Sequence, residues 1–350
     1  MRKIRFKPIW FESLGAKSSC VLVKTPDVSI LIDPGIAALQ PSFPASRAEL
    51  IRWERRGRTA IKNASKRADV IVISHYHYDH HMPGELEIYE NKLLFVKNPN
   101  EWINDSQRIR AEYFLTNLYE KFGGKSLQSL PPQPKEYVNP LDELEIAKKK
   151  DFGDYNERRR QVLKMGEKWF LRRVDRWKKY PVIPEFNVGR VRVKYPEGRK
   201  FRIGKTLLRF TKPMFHGVEY SRVGWVFATI IEYENEKLIH TSDLDGPVIE
   251  DYAEWIIKEN PNTLILDGPM TYMLGYTFSL INLNRCIENM CRIIKNVQSE
   301  LIIYDHHLLR DVRYRRRLRK VYETAKELNK KVITAAEYLG KKPVADKYQK

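Results

Sequence analysis

Cysteine is scarce: Cys20, Cys286 and Cys291 are the only three in 350 residues. An odd count without a Cys-x-x-Cys spacing argues against a disulfide framework and favours a reducing, cytoplasmic setting. Long hydrophobic runs are missing too. The longest apolar stretch, residues 223–231, is closed off by Arg222 and Glu232, far short of the ~20 residues that span a bilayer. The basic N-terminal stretch is interrupted by Lys7 and Glu12, so it holds no apolar run of the signal-peptide kind. No membrane association is expected. Short-period repeats and low-complexity tracts are also absent. Disorder is excluded by the opposite observation: 42% hydrophobic and 11% aromatic residues accompany the 31% that are charged.

Acidic residues are thin in two places. Residues 146–200 carry 18 Lys/Arg against 7 Asp/Glu, and residues 308–350 carry 14 against 5. The formal net charge is +19, so the excess belongs to these segments and the rest is balanced.

Apolar runs bounded by turn residues predict strands at 4–10, 20–25 and 28–32, the last stopping at Asp33-Pro34-Gly35. A helix is expected over 46–66. The unbroken β-branched run 69–74 reads as a fully buried strand. Helical patterns follow at 101–122 and, broken near Gly153, over the basic stretch 141–180, with an irregular Pro-rich link between them. Strand signals return at 188–194, 200–203, 206–211, 225–233, 237–240, 263–266 and 301–304, with helices at 282–296 and 311–330. Hairpin-like pairs and strand–helix alternation coexist. That predicts an α/β fold of mixed sheets covered by helices. Residues 1–350 read as one unit, with 98–185 as a helical, basic insertion.

The histidines are clustered. Of eight, four lie in Ser74-His-Tyr-His-Tyr-Asp-His-His81, directly after the buried strand. His75 and His77 are two apart and point the same way in extended backbone, so they can share one cation. Asp79 and His80 follow where the chain must turn and can face a second. Imidazole and carboxylate without thiolate suit an open zinc, iron or manganese site better than a closed structural zinc.

This His-x-His-x-Asp-His pattern resembles the signature of the metallo-β-lactamase superfamily of dinuclear metal hydrolases. Further elements stand in that superfamily's order. Asp33 resembles its early aspartate, and His216 in Pro213-Met-Phe-His-Gly217 its third ligand of the first metal. Asp243 resembles the bridging carboxylate, and His306, after Leu301-Ile-Ile-Tyr-Asp305, the last ligand of the second metal. Asp33-Pro-Gly, Tyr76 and Tyr78 within the cluster, the doubled His81 and the run Asp305-His-His-Leu-Leu-Arg-Asp311 are similar to an archaeal family within the superfamily. The richness in Lys, Arg and Glu would fit a thermophilic source.

The resemblance implies a four-layer αββα sandwich of two mixed sheets. It implies two divalent ions, zinc first with iron or manganese as alternatives, held by His75, His77, Asp79, His80, His216, Asp243 and His306. It also implies hydrolysis by a hydroxide shared between the metals. Asp79 would ligate and orient the nucleophile or receive its proton, and Asp33 would steady the histidines from behind. Of the adjacent pair, His306 is expected to reach the metals. His307 should face away, toward the start of the basic helix or an outer carboxylate such as Asp311, because consecutive extended residues point to opposite faces.

Asp243 stands where true β-lactamases carry a zinc-binding cysteine, which directs the expectation away from antibiotics. The substrate expected is a phosphodiester, lactone or other ester of an anionic small molecule. The alternative is a nucleic-acid-processing or nucleic-acid-binding protein docking polyanions on Arg158–Arg160, Arg172, Arg173 and Arg176, interleaved with Trp169, Phe170, Trp177 and Tyr180. The superfamily's nucleases carry their extra domain after the bridging aspartate, whereas this insertion precedes His216. His81, His240, Asp245, Asp267, Tyr272 and Tyr276 are weaker candidates for the cleft. Oligomeric state is left open.

Overall fold

The computed structural model describes residues 2–349. Two seven-stranded mixed sheets carry the chain. The first is built from β1 (Arg5–Phe11), β2 (Ser19–Lys24), β3 (Ser29–Ile32), β4 (Val70–Ile73), β5 (Leu93–Val96), β6 (Phe186–Val188) and β7 (Val191–Lys194), in the order β1-β2-β3-β4-β5-β7-β6. Its β3, β4, β5 and β7 run parallel.

The second sheet holds β8 (Lys200–Ile203) and β9 (Thr206–Phe210). After the two-stranded ribbon of β10 (Met214–Phe215) and β11 (Trp225–Val226), it continues with β12 (Thr229–Tyr233), β13 (Glu236–His240), β14 (Thr263–Asp267), β15 (Leu301–Asp305) and β16 (Lys331–Ile333). Here β13 to β16 are parallel.

Side-chain alternation explains the layering. Ile30, Ile32, Val70, Val72 and Phe95 of the first sheet meet Leu208, Phe210, Ile231, Leu238, Ile265 and Ile303 of the second in one apolar cluster. Their neighbours Leu31, Ile71, Ile73, Leu94, Leu264 and Ile302 belong to a second cluster shared with helical residues. Both faces of β4 are therefore buried, as its unbroken β-branched run requires.

The helices are α1 (Arg47–Ser65), α2 (Asp105–Lys121), α3 (Glu145–Lys149), α4 (Asn156–Trp177), α5 (Glu250–Glu259), α6 (Leu280–Asn296), α7 (Tyr314–Arg317), α8 (Arg319–Glu327) and α9 (Ala335–Tyr338). Ser46 opens α1 with a capping box to Glu49, and Ser279 caps α6. The architecture is the expected αββα sandwich of mixed sheets. The 188–194 run is split into a hairpin at Gly189, whose φ of +54° suits glycine. The 225–233 run is also divided, because Trp225 and Val226 pair with β10 while Thr229 onward pairs with β9. The expected 311–330 helix breaks at Leu318.

The segment between β5 and β6 holds α2, α3 and α4. Phe114, Leu115, Leu118, Phe170, Val174 and Trp177 are buried in the same apolar cluster as the sheet residues.

Candidate metal centre

The histidine and aspartate candidates stand at the carboxyl ends of parallel strands, where open α/β sheets place their ligands. Asp33 follows β3 and Ser74 to His81 follow β4. Asp243 and Asp245 follow β13, Asp267 ends β14, and His306 and His307 follow β15. His216 follows the short β10. The sequence reading missed Ser74, Ser242, Glu12, Arg310 and Gln107, which all touch this centre. Ser74 and Arg310 lay in runs singled out beforehand.

His75 and His77 do share a side: Nε2 of the first is 3.0 Å from Nδ1 of the second. The chain then turns, the His80 and His81 amides donating to His77 O. Gly35 makes this turn's packing possible, since a Cβ there would sit 2.2 Å from the His80 and His81 backbone nitrogens.

Asp243 lies at the middle. Its Oδ2 is 3.5 Å from His75 Nε2, 3.1 Å from His80 Nε2 and 3.2 Å from His216 Nε2. Its Oδ1 is 3.5 Å from His306 Nε2, which is 3.9 Å from Asp79 Oδ2. Two groups hold the expected ligands, His75, His77, His216 and Asp243, and Asp79, His80 and His306, and two more run through His307, one with Asp243 and His306 and one with Asp245 and Asp267; each has ligand atoms close enough to hold one ion.

The partners behind the rings are equally ordered. Asp33 accepts from Ser74 N and Oγ, both at 2.8 Å, and lies 3.0 Å from His80 Nδ1. Ser74 Oγ is also 3.1 Å from His75 Nδ1 and accepts from Ser242 Oγ at 2.7 Å. His306 Nδ1 faces Ser18 O at 3.1 Å. Backbone strain concentrates here: Asp33, Ser242, Asp245 and His306 all have positive φ, between 48° and 67°. Gly217 at +88° lets the chain leave His216 past Asp245, whose Oδ2 a Cβ would strike at 2.3 Å.

His307 departs from expectation. His306 opens a short 3-10 turn with φ +67°, so the backbone is no longer extended and both rings turn toward Asp243. His307 Nε2 is 3.8 Å from Asp243 Oδ2, while its Nδ1 is 3.1 Å from Asp245 Oδ1 and 3.3 Å from Asp267 Oδ2. The outer carboxylates it meets are thus Asp245 and Asp267 rather than Asp311. Asp267 in turn accepts from the Leu244 and Asp245 amides. His81 packs between Tyr76 and Phe114, and His240 lies in the core, 3.0 Å from Ser19 Oγ. Tyr276 is 85% exposed, whereas Tyr272 holds Arg310.

Burial sets the electrostatics. It holds His75 well below the ordinary imidazole value and His77 at about 3, with neighbouring imidazoles adding to the effect. Burial also opposes a proton on His80, His216 and His307, but the acids win. Asp243 and Asp33 raise His80, Asp243 and Asp245 hold His216 at about 9, and Asp245 and Asp243 raise His307. Asp79 and Asp243 stay well below the carboxylate range despite burial, chiefly because of His80. Burial lifts Asp267 to about 6. The centre thus favours positive charge on one part of it: ionised Asp243 and its neighbouring acids favour a proton on His80, His216 and His307.

The decisive observation is what stays unpartnered. His80 Nε2, both nitrogens of His216, His306 Nε2 and both Asp243 oxygens are buried without an aligned hydrogen bond. Each such atom costs ~1–3 kcal/mol. His216 Nδ1 is turned toward Asp245; the other five face one another around Asp243 and fit a site for cations, and the nitrogen and carboxylate donors suit zinc, iron or manganese.

On α4, Trp169, Phe170 and Trp177 turn inward and pack with Trp102 and Trp225. Tyr180 bonds Asp105 and lies under Arg108. Arg173 pairs with Asp105 and Arg159 with Glu219. The exposed face of α4 therefore keeps charge, in Arg158, Arg160, Lys164, Lys168 and Arg172, but none of these rings for stacking.

Residues 15–81 match the family model of the metallo-beta-lactamase superfamily. Among solved structures, the metallo-beta-lactamase fold protein YhfI from Bacillus subtilis is similar over 92% of each chain, at 14% identity and a TM-score of 0.41. The UPF0282 protein of Methanopyrus kandleri is 33% identical over 354 residues, covering 97% of this chain and 94% of that one. That of Korarchaeum cryptofilum is 33% identical over 342 residues, covering 97% and 90%. With relatives this similar along nearly the whole length, the chain belongs to the archaeal UPF0282 family, within the metallo-beta-lactamase superfamily.

Proposed function

We propose that this protein is a metal-dependent hydrolase of esters of anionic small molecules, a phosphodiester, lactone or related ester. The observation that carries the reading is the convergence of unpartnered imidazole and carboxylate atoms on the space around Asp243. His75, His77, His216 and Asp243 would hold one divalent cation, and Asp79, His80 and His306 a second. When bound, such ions supply Lewis acidity and a nucleophile at neutral pH.

The chain's own residues do the rest. Asp79 is the acid of the set that reaches solvent, its side chain 13% exposed, so it is placed to orient an entering water and take up its proton. Arg310 fixes that carboxylate from 3.3 Å. Asp33 holds His80, and the Ser74–Ser242 pair holds His75. The dry surroundings strengthen each of these interactions.

Elemental analysis after reconstitution with zinc, manganese or iron tests the reading, alongside hydrolysis of nitrophenyl phosphodiesters and esters. Up to two ions per chain are expected, and Asp79→Asn should abolish turnover while the far-ultraviolet spectrum stays unchanged. Failure to retain any of these metals would overturn it.

A further inference from the structure

The first turn of α2 is built differently from those of α1 and α9. In those two helices the third residue, Glu49 or Glu337, bends back and accepts from the backbone of its own cap, closing a capping box. α2 has the same spacing in Asn104 and Gln107, and the Asn104 side-chain oxygen accepts from the Gln107 amide at 2.8 Å. The Gln107 side chain closes no box. It is fully buried and reaches away from its own helix to two other segments.

Those segments carry three of the imidazoles that would share one ion. Gln107 Oε1 accepts from the Tyr76 amide at 3.0 Å, midway between His75 and His77. Its Nε2 donates to Val223 O at 2.8 Å and lies 3.4 Å from His77 Nε2. Asn104 Nδ2 donates to the same Val223 carbonyl at 2.7 Å and to Arg222 O at 3.0 Å. The next residue, Gly224, accepts from the His216 amide at 3.0 Å. One side-chain amide therefore links the stretch after β4 to the end of the loop that begins at His216. Gly224 permits the approach: its φ is +118°, and a Cβ there would stand 3.0 Å from Gln107 Nε2.

The two contacts specify the residue. Tyr76 presents a donor and Val223 an acceptor, so the side chain between them must carry one of each at its tip. A carboxylate would set an oxygen against the Val223 carbonyl, and asparagine is one methylene shorter. The Tyr76 amide belongs to a fully buried residue, where an unmet backbone group is costly. α2 is anchored independently of both ligand segments. Arg108 donates to Pro99 O and Pro181 O at 2.7 and 2.8 Å, and Ile103 O accepts from Trp177 Nε1 at 2.9 Å. The link thus hangs from the segment between β5 and β6 and from neither sheet.

We propose that Gln107 is a positioning residue of the metal centre, which joins the segment of His75 and His77 to the His216 loop and sets the spacing of the three rings. The assignment rests on the metal-dependent reading for the ion that those rings would hold. Gln107 acts through the segments it ties together and is not itself a ligand.

Gln107→Met tests it, because methionine keeps the length and bulk and removes both polar contacts. The full-length protein is loaded with zinc and competed against a chromophoric chelator, and cobalt-loaded protein is followed by its visible spectrum. The variant should bind the ion of the His75, His77 and His216 group about 10–100-fold more weakly and hold the other ion as the wild type does. Only one component of the cobalt spectrum should change, and Asp33→Asn, which acts behind His80, identifies the other. In metal-free protein, amide exchange in the peptides that contain Tyr76 and His216 should speed up. Asn104→Ala keeps Gln107 but removes its cap and the second bond to Val223. It should show the same site preference in milder form, and it decides the matter if Gln107→Met does not fold. Wild-type affinity for both ions overturns the positioning role, and so does an equal loss of both, the sign of general damage. A wild type that binds no metal sinks the hydrolase reading. Amide exchange then decides the link alone, and unchanged exchange overturns it. Two ions held equally well by wild type and variant keep the hydrolase reading and remove the link.

Discussion

Asp33 offers the sharpest test of how the centre is held. It is completely buried and accepts three hydrogen bonds, from the Ser74 amide, the Ser74 hydroxyl and the His80 ring. Bonds to an ionised group contribute ~1.5–3 kcal/mol each, and stranding buried partners costs ~3–5 kcal/mol in total. Asp33→Ala should therefore remove a large part of a fold worth ~5–15 kcal/mol. Its φ of +48° adds ~1–2 kcal/mol for alanine. Asp33→Asn is the informative variant, because asparagine tolerates that backbone and keeps the shape. Its carbonyl can accept from Ser74, but its amide then points a donor at a donor on His80. Stability should fall by ~1–3 kcal/mol. Affinity for the ion nearest His80 should drop 10–100-fold, a typical loss when the partner behind a metal-bound imidazole is removed. Urea unfolding of metal-free protein reads the first quantity, and zinc competition against a chromophoric chelator reads the second. Ser74→Ala should weaken zinc less, since it leaves the Asp33–His80 contact in place. If Asp33→Asn holds both ions as tightly as the wild type, Asp33 does not orient His80 and the assignment fails.

His306→Ala should lose one ion per chain by elemental analysis, whereas His307→Ala should keep both and lose stability, since Asp245 and Asp267 would lose the ring that stands between them. Loss of the ion in His307→Ala alone would move the ligand by one residue. Neutralising the exposed Arg158, Arg160 and Arg172 together tests polyanion docking: a flatter salt dependence of RNA or DNA binding is expected if the α4 face docks them, and no binding at low salt favours the small substrate. Arg159 and Arg173 are left intact in that experiment because they are held in ion pairs with Glu219 and Asp105. Away from the metal centre, hydrogen bonds from Arg209, then Lys237, hold Glu259 at about 2 against an ordinary value of 4.5. A depressed carboxylate stabilises the fold above its unfolded pKa, and that stability is lost as pH falls from about 4.5 toward 2. Acid titrations of unfolding should therefore be flatter over that window in Glu259→Gln, and equal slopes would refute the coupling.

What the sequence made legible was governed by local pattern. The β4 run is apolar on both faces, so its burial and the turn after it could be read directly. The spacing of His75 and His77 needs only extended backbone to bring the rings together. Three elements left too little local trace: β5 has four residues and β16 three, and α5 has ten that follow a turn without a side-chain cap. Glu12 and the Ser74–Ser242 pair could not be assigned because their roles arise from contacts between distant positions, 168 apart for the two serines and 298 for Arg310 and Glu12. The His307 expectation failed for a different reason. Alternation holds only while the strand lasts, and the strand ends at Asp305.

On the basic helix α4 the rings and the exposed cations occupy different faces. Its alternation of cations and rings resembles a polyanion footprint, yet the rings face inward. Trp169 stacks on Trp225 at 5.4 Å and 10°, and Phe170 and Trp177 enclose the same indole. Trp225 pairs with Phe215, the residue immediately before His216. Gly166 lies so close to Tyr220 that a Cβ would meet its side chain at 2.6 Å, and the Tyr220 hydroxyl bonds Asn139. The loop that returns from His216 is therefore clamped between α4 and β11. A two-stranded ribbon with two pairs of residues has little stability of its own, so the placement of His216 depends on this clamp. Gly166→Leu should displace the loop, and the effect should appear as loss of the ion bound by His75, His77 and His216 before any loss of global stability. An unchanged metal count in a variant whose Trp fluorescence reports a moved Trp225 would show that His216 is positioned by β10 alone.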